Sequence, residues 1–231
     1  RVVTRLSEAG MDQSMLDITP IGPPLEGAIK RVLQNSTGIP WATLHIEMRP
    51  LLRNLKILDW VVRAVQSGRE LGAANLTGLI SLIDYLWSRW IESDDRGIAG
   101  GGLLKKIAVV EASGLAAGVP LASLEYSEQQ ALTSLISADL LKRRAERVKF
   151  SHDLLGDWAR LRVLIGADPT GSSEAIQRCA MARWHRAVRL FGRWLLSQND
   201  GVRRWSAAII RVEEDGTDQG TVIRDLLLES V

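Results

Sequence analysis

Residues 138–165 read ADLLKRRAERVKFSHDLLGDWARLRVLI, and this stretch carries the strongest structural signal in the chain. Its first part alternates apolar and basic residues around a turn at residues 144–146, which predicts a β-hairpin of two short strands. Its second part has an apolar stripe at helical spacing, formed by Leu154, Trp158, Leu161 and Ile165. The stretch therefore predicts a β-hairpin that is followed at once by an amphipathic helix.

The residues before the hairpin predict three more helices. Leu103, Ile107 and Val110 mark the first helix, and Pro120 precedes a short second one. The third runs through Leu132 and Leu135. Three helices, a hairpin and a further helix describe a winged-helix domain, which we place at residues 100–166.

The flanking regions also have helical periodicity. In the N-terminal half, a stripe consists of Leu51, Leu55, Leu58, Val62 and Val65. The charged and then glycine-rich run ESDDRGIAGGG, residues 92–102, predicts a linker with a domain boundary near residue 99. In the C-terminal part, a second stripe consists of Trp184, Val188, Phe191 and Leu195. We expect a mainly α fold with a helical lid bundle, a winged-helix domain with one β-hairpin, and the start of an α-solenoid.

Composition narrows the class of protein. The 231 residues are 46% hydrophobic and 24% charged, which is ordinary for a globular protein. A single cysteine excludes an internal disulfide and fits a reducing compartment, so we expect a cytoplasmic protein. The most apolar window, residues 102–124, is interrupted by Lys105, Lys106 and Glu111, so no membrane span is expected.

Three motifs resemble a known family. They are ITPIGPPLEGAIKRVL at residues 18–33, LRNLKILDWVVRA at residues 52–64, and the hairpin–helix stretch at residues 138–164. Together they look like the C-terminal part of a STAND-type nucleotide-switch ATPase. STAND proteins are signalling relatives of the AAA+ proteins, and they include NACHT and NB-ARC proteins. In NB-ARC proteins the turn before the last helix reads Met-His-Asp, and Ser151, His152 and Asp153 stand there in this chain.

The resemblance implies a role for each region. Residues 1–38 would leave the ATPase core, residues 39–99 would form the helical lid, and residues 167–231 would begin the repeat region. His152 would contact the β-phosphate of ADP in the inactive state, with Asp153 supporting it as a helix cap. The implied cofactors are ADP or ATP with magnesium in the parent protein. The implied partners are the ATPase core of the parent chain and further copies of the protein on activation, and bacterial members act in antiviral defence, signalling and transcription control.

Physical chemistry leaves two interpretations of His152 open. A helix N-terminus offers unpaired N–H groups and a positive dipole end, which favours an anion beside His152. The other interpretation is that His152 only caps the helix or packs against it. The chain has no G-x-x-x-x-G-K-S/T motif, so we expect no ATP hydrolysis and no bound nucleotide in this chain alone, although the parent would be an ATPase. We also expect no metal site, since a single cysteine and scattered histidines lack ligand spacing.

Two basic surfaces offer a different function. The hairpin carries Arg143, Arg144 and Arg147, flanked by Lys142 and Lys149, and the C-terminal stripe helix carries Arg186, Arg189 and Arg193 on one side. Arginine suits phosphate oxygens, so these residues are candidate contacts for nucleic acid or a protein partner. They could instead form a solvated face or pair with acidic residues. The alternative functions are therefore a winged-helix DNA-binding transcription regulator and a scaffold for protein interactions.

Overall fold

The computed structural model of the chain describes residues 24–66, 76–91, 95–114, 118–167 and 173–231. The chain divides into two compact units, Arg1–Ala74 and Asn75–Val231. Most of the described residues are helical, and they include one small antiparallel sheet, so the predicted mainly helical fold with a β-hairpin is confirmed. No helix in the described part combines the length and the apolar character that a membrane crossing requires.

The first unit is helical in its described part. Its elements are α1 (Glu26–Thr37), a 3₁₀ turn (Trp41–Thr43), α2 (Met48–Leu51) and α3 (Leu55–Gln66). Helix α3 packs against α1. The buried face of α3 consists of Ile57, Leu58, Trp60, Val61 and Ala64. Residues 1–23, most of the predicted exit segment, lie outside the described residues.

The predicted stripe on α3 is therefore only partly correct. Leu58 is buried, whereas Leu55 is 60% exposed at the start of the helix. The buried face is a neighbouring one, which includes Ile57, Trp60 and Val61. Periodicity alone could not choose between two apolar faces that differ by a small rotation of the helix.

The second unit contains the remaining elements. They are α4 (Leu79–Leu86) with a π-helical turn (Trp87–Ile91), α5 (Asp95–Ser113), β1 (Val119–Pro120), a 3₁₀ turn (Leu121–Ser123), α6 (Tyr126–Ser137), β2 (Leu141–Arg144), β3 (Arg147–Phe150), α7 (Asp153–Ala167), α8 (Ser173–Ala180), α9 (His185–Ser197), α10 (Gly201–Asp215) and α11 (Asp218–Leu228).

The linker prediction at residues 92–102 is wrong for residues 95–102, because α5 runs continuously through them. Gly100 lies in the contact between α5 and α6, where a Cβ would meet the Leu135 side chain at an ordinary van der Waals distance of 3.5 Å. A Cβ on Gly102 would meet nothing within 4 Å, so packing requires glycine at neither position. The division between compact units also differs from the predicted boundary near residue 99, since it falls between Ala74 and Asn75.

The sheet has the strand order β1–β3–β2 and is antiparallel throughout. Strands β2 and β3 form the predicted hairpin. Strand β1 was not predicted; it pairs Val119 with Val148. Gly118 makes this pairing possible, because its φ is +82° and a Cβ there would come within 2.4 Å of the Val148 carbonyl oxygen. The expected short helix after Pro120 is the 3₁₀ turn.

Helix α7 forms the centre of the second unit. It packs on α5, on β3 and on α9, and every residue from Leu154 to Leu161 is buried. Helix α9 contributes its predicted stripe, and all four members are buried: Trp184, Val188, Phe191 and Leu195. Helix α11 then packs against α8, α9 and α10. Strand β3 of the hairpin thereby packs against α7, which also contacts α9.

Candidate functional site

A polar cavity of about 430 Å³ lies where the hairpin, the start of α7 and the turn between α8 and α9 meet. Five cationic side chains line it: Lys142, Lys149, Arg160, Arg183 and Arg186. Three carboxylates also line it: Glu111, Asp153 and Asp157. The fold thus brings together the basic hairpin, the Ser-His-Asp turn and the arginine-bearing helix, which are separate features in the sequence.

The hairpin turns a basic face away from the core. Because side chains alternate along a strand, Leu141, Val148 and Phe150 are buried on one face, and four basic residues lie on the other: Lys142, Arg144, Arg147 and Lys149. Lys142 pairs directly with Lys149 across the strands, and both line the cavity. Like charges in directly opposed positions destabilise a strand pair. An anion between them would relieve that repulsion.

The start of α7 places Arg160 against the hairpin. Gly156 precedes Arg160 by one turn, and a Cβ on Gly156 would lie 3.2 Å from a terminal nitrogen of Arg160 and 3.3 Å from the Phe150 ring. Glycine at this position therefore leaves room for the guanidinium group. Arg160 is consequently only 7% exposed although it carries a charge.

Buried ion pairs hold Arg160 in the cavity wall. Its Nη1 donates to Asp157 Oδ1 at 2.7 Å, and both side chains are almost fully buried. Arg186 Nη1 lies 3.5 Å from the other Asp157 oxygen, and Arg183 donates to the backbone carbonyl of Glu111. The network thus joins α5, α7 and α9, and the Nε–H donor of Arg160 makes no hydrogen bond within the described residues.

Burial controls the protonation of this network. It raises the pKa of Asp157, although Arg160 and Arg186 oppose the shift. It also raises the pKa of Glu111 against the opposing effects of Arg160, Arg183 and a hydrogen bond from the Gly118 backbone. Loss of solvation lowers the pKa of Arg160, while Asp157 and Glu111 act in the opposite direction. Each charge therefore depends on its neighbours for stabilisation.

His152 caps α7. Its Nδ1 accepts a hydrogen bond from the Leu154 N–H at 3.1 Å, and its carbonyl oxygen accepts from the Leu155 N–H. In a neutral ring this acceptor role places the proton on Nε2. The neighbours Ser151 and Asp153 line the cavity, whereas His152 is not among the described lining residues. The capping interpretation of His152 thus has a direct contact, the hydrogen bond from the Leu154 N–H to Nδ1.

The hydrogen bond from the Leu154 N–H to His152 is expected to stabilise the fold. His152→Ala removes the acceptor for the Leu154 N–H and is expected to cost about 0.5–2 kcal/mol of unfolding free energy. His152→Asn is expected to restore most of that loss, because asparagine is a favoured capping residue. Urea denaturation of the three proteins measures both effects. Equal stability of His152→Ala and the parent would show that the cap contributes nothing.

The predicted arginine cluster on α9 is mostly engaged within the chain. Arg189 donates to a Glu229 carboxylate oxygen, and Arg193 Nε donates to the Ser230 carbonyl. Arg186, which is 57% exposed, is the member that lines the cavity. The cluster is therefore divided between two tasks, with the C-terminal members holding the end of the chain and Arg186 facing the cavity.

The hairpin arginines lie nearer the tip. Arg143 forms an exposed ion pair with Glu146, and Arg147 donates to the Gly118 carbonyl. Arg144 is exposed and stands directly opposite Arg147 in the register. These residues extend the positive charge of the hairpin beyond the cavity, but they do not line it in the described structure.

Sequence reasoning did not select the buried members of the site. Asp157 and Arg160 lie on α7 between residues that were identified as an apolar stripe, and Glu111 was noted only as an interruption of an apolar window. A signal was present, because a charged pair spaced i, i+3 inside an otherwise buried helix must be satisfied internally. Within the described residues, no group of His, Cys, Asp or Glu is arranged to hold a metal ion.

The site and fold were compared with known proteins. No protein-family model, curated protein or solved structure matches the chain. The class of this protein is therefore described from its own structure, which combines a mainly helical architecture, a small three-stranded antiparallel sheet, and a cationic cavity at the start of a buried helix.

Proposed function

We propose that this chain is the lid, winged-helix and first helical-repeat part of a STAND-type nucleotide-dependent signalling switch. The observation that carries the proposal is the position of the Ser-His-Asp turn. It follows the hairpin, begins the central buried helix α7 and borders a cavity with five cationic side chains. In such a switch, this turn would face the phosphates of ADP held by an ATPase core elsewhere in the parent protein.

The order of elements supports the winged-helix part of the proposal. Helix α5, strand β1, a 3₁₀ turn, helix α6 and the hairpin follow one another, and β1 pairs with the second hairpin strand. In this interpretation β2 and β3 are the wing, and α8 to α11 are the helical region that follows. The parent would act in the cytoplasm, for example in bacterial antiviral defence, with the ATPase core and further copies of itself as partners.

The proposed mechanism uses a difference between two states. In the closed state, His152 donates from Nε2 to a phosphate oxygen while Nδ1 accepts from the Leu154 N–H. A ligand contact that exists only in the closed state shifts the closed–open equilibrium by its own free energy. The chain itself hydrolyses nothing in this scheme, since it has no phosphate-binding loop; its residues hold the inactive state.

The alternative function, a DNA-binding winged helix, has less support from the same elements. Helix α6 occupies the position of the recognition helix, directly before the hairpin, and its sequence YSEQQALTSLIS contains neither lysine nor arginine. Glu128 on α6 instead pairs with Lys106 of α5 at 2.8 Å. A helix that enters the major groove normally presents cationic or amide side chains to the bases. Helix α6 offers only two amides, and that of Gln129 already donates to the Leu124 carbonyl.

The test uses the full-length protein in which these residues occur. His152→Ala is expected to speed ADP release about ten- to a hundredfold, the factor that corresponds to one charge-assisted hydrogen bond. The same variant is expected to self-associate without a trigger, because the closed state is weakened. Asp153→Ala is expected to have a smaller effect in the same direction. Release of a fluorescent ADP analogue and light scattering measure the two properties.

His185 offers a matched control. Its Nε2 lies 2.9 Å from the Ala180 carbonyl, a contact within the fold alone, so His185→Ala is expected to leave ADP release unchanged. Unchanged release and self-association in a folded His152→Ala protein would remove His152 from the switch. A full-length protein that binds no ADP, or that binds duplex DNA with a steep dependence on salt, would reject the proposed class.

A further inference from the structure

We propose that the cavity between the hairpin, α7 and α9 is a binding site for a small phosphoryl anion, which is bound mainly by Arg160, Arg186 and Lys149. The residues that would bind this anion differ from His152, the proposed nucleotide contact, although the Ser-His-Asp turn borders the same cavity. The proposal does not depend on the proposed function, since every residue that forms the cavity lies between Glu111 and Arg186 of this chain.

The charge balance of the cavity is the first argument. Five cationic side chains and three carboxylates line the cavity, whose volume is about 430 Å³. Pockets of roughly 300–1,000 Å³ commonly hold small ligands. The directly opposed Lys142 and Lys149 repel one another, and burial leaves Arg160 strongly desolvated. A doubly charged anion would offset the excess positive charge and satisfy donors from three elements of the fold at once.

The buried guanidinium group of Arg160 is the second argument. One of its terminal nitrogens is engaged by Asp157, and its Nε lacks a partner among the described residues. A buried donor without an acceptor costs free energy. Because Gly156 has no side chain, the Arg160 guanidinium group fits into the space beside it. Arginine's planar set of donors matches the tetrahedral oxygens of a phosphoryl group.

Phosphate chemistry fits better than a carboxylate ligand. The donors that line the cavity come from three elements: the hairpin, α7 and the start of α9. A phosphoryl group offers three or more acceptor oxygens in a tetrahedral arrangement, which can reach several donors at once. Such an anion would link the hairpin to α9 and stabilise their packing by binding only the folded state.

The test is calorimetric titration of the chain with pyrophosphate at low ionic strength, accompanied by the melting temperature. We expect saturable binding, a rise in melting temperature, and weaker binding as salt is added. Arg186→Gln and Lys149→Gln are each expected to weaken binding about ten- to a hundredfold. The matched control is Arg189→Gln, which lies on the same helix, pairs with Glu229 and does not line the cavity among described residues.

The remaining outcomes identify the source of the anion or overturn the site. Equal affinity for inorganic phosphate, pyrophosphate and ADP, or tighter binding of ADP that the same two variants weaken, supports a site that reads the phosphoryl group. Adenosine binding as tightly as ADP would overturn it, since the base would then be the recognised group. Absence of any pyrophosphate effect, or equal loss in Arg189→Gln, would also overturn it. Circular dichroism of each variant checks that the fold is retained.

Discussion

Replacing Trp158 with alanine is expected to lower the free energy of unfolding by about 3–5 kcal/mol. Trp158 is 3% exposed and lies on α7, which packs on α5 and on α9. The substitution removes a large buried aromatic side chain and leaves a cavity between helices that cannot fully close. Because α7 packs on α5, β3 and α9, the loss should appear as a single cooperative change in the second unit.

Urea denaturation followed by circular dichroism measures this effect. Tyr126→Ala is the matched control, because Tyr126 is also aromatic and helical but is 77% exposed on α6. Surface substitutions usually stay within about 0.5 kcal/mol, so the control should unfold almost like the parent. Equal stability of Trp158→Ala and Tyr126→Ala would contradict the position of α7 at the centre of the unit.

The second large effect is expected at Arg160. Arg160→Met leaves Asp157 and Glu111 buried without their principal cation, and breaking a buried pair in this way costs about 3–5 kcal/mol. Arg189→Met is the control, because Arg189 forms an exposed pair with Glu229 and exposed pairs contribute only about 0–1 kcal/mol. The comparison separates the buried network from the general loss of an arginine.

The loss of unfolding free energy caused by Arg160→Met should depend on pH in a definite direction. Burial already raises the pKa of Asp157 and of Glu111, so the folded protein retains these protons to higher pH than the unfolded chain. Their burial therefore costs stability above the raised pKa, and the cost disappears as pH falls toward the ordinary carboxyl range. Without Arg160 the pKa of both groups rises further. The deficit of Arg160→Met should be largest near neutral pH and shrink in mild acid.

A double variant tests the cause. Asp157→Leu together with Arg160→Met removes both charges of this pair, and replacing a buried pair with apolar groups is often close to neutral. Glu111 remains buried in Arg160→Met and in the double variant, so its cost is common to both. We expect the double variant to be more stable than the sum of the two single losses requires. Strictly additive losses, or a deficit that grows in acid, would contradict the buried network of the cavity wall.

The sequence predicted the features that depend on local pattern. The hairpin and α7 follow from a change of apolar period from two to about four residues within residues 138–165. The stripe on α9 was correct at Trp184, Val188, Phe191 and Leu195, since this helix has one dominant apolar face. His152 was correctly placed at the start of α7, where sequence alone left capping and ligand binding open.

The errors share a different cause. Residues 95–102 are glycine-rich but form part of α5, and Gly100 packs against Leu135 of α6. The first strand has only Val119 and Pro120, too short to leave a periodic signal, and it exists because β3 lies beside it. Leu55 is exposed because α3 presents a neighbouring face to α1. In each case the deciding partner is distant in the sequence.

The candidate site divides in the same way. The sequence by itself determined which residue types were present: a basic hairpin, a Ser-His-Asp turn and a helix rich in arginine. Only the tertiary structure decided that Lys149, Arg160 and Arg186 share one cavity and that Asp157 and Glu111 are buried beside them. The physical reason is that burial and charge pairing depend on which helices meet. Periodicity describes one face of one element, whereas a desolvated ion network requires α5, α7, α9 and the hairpin together.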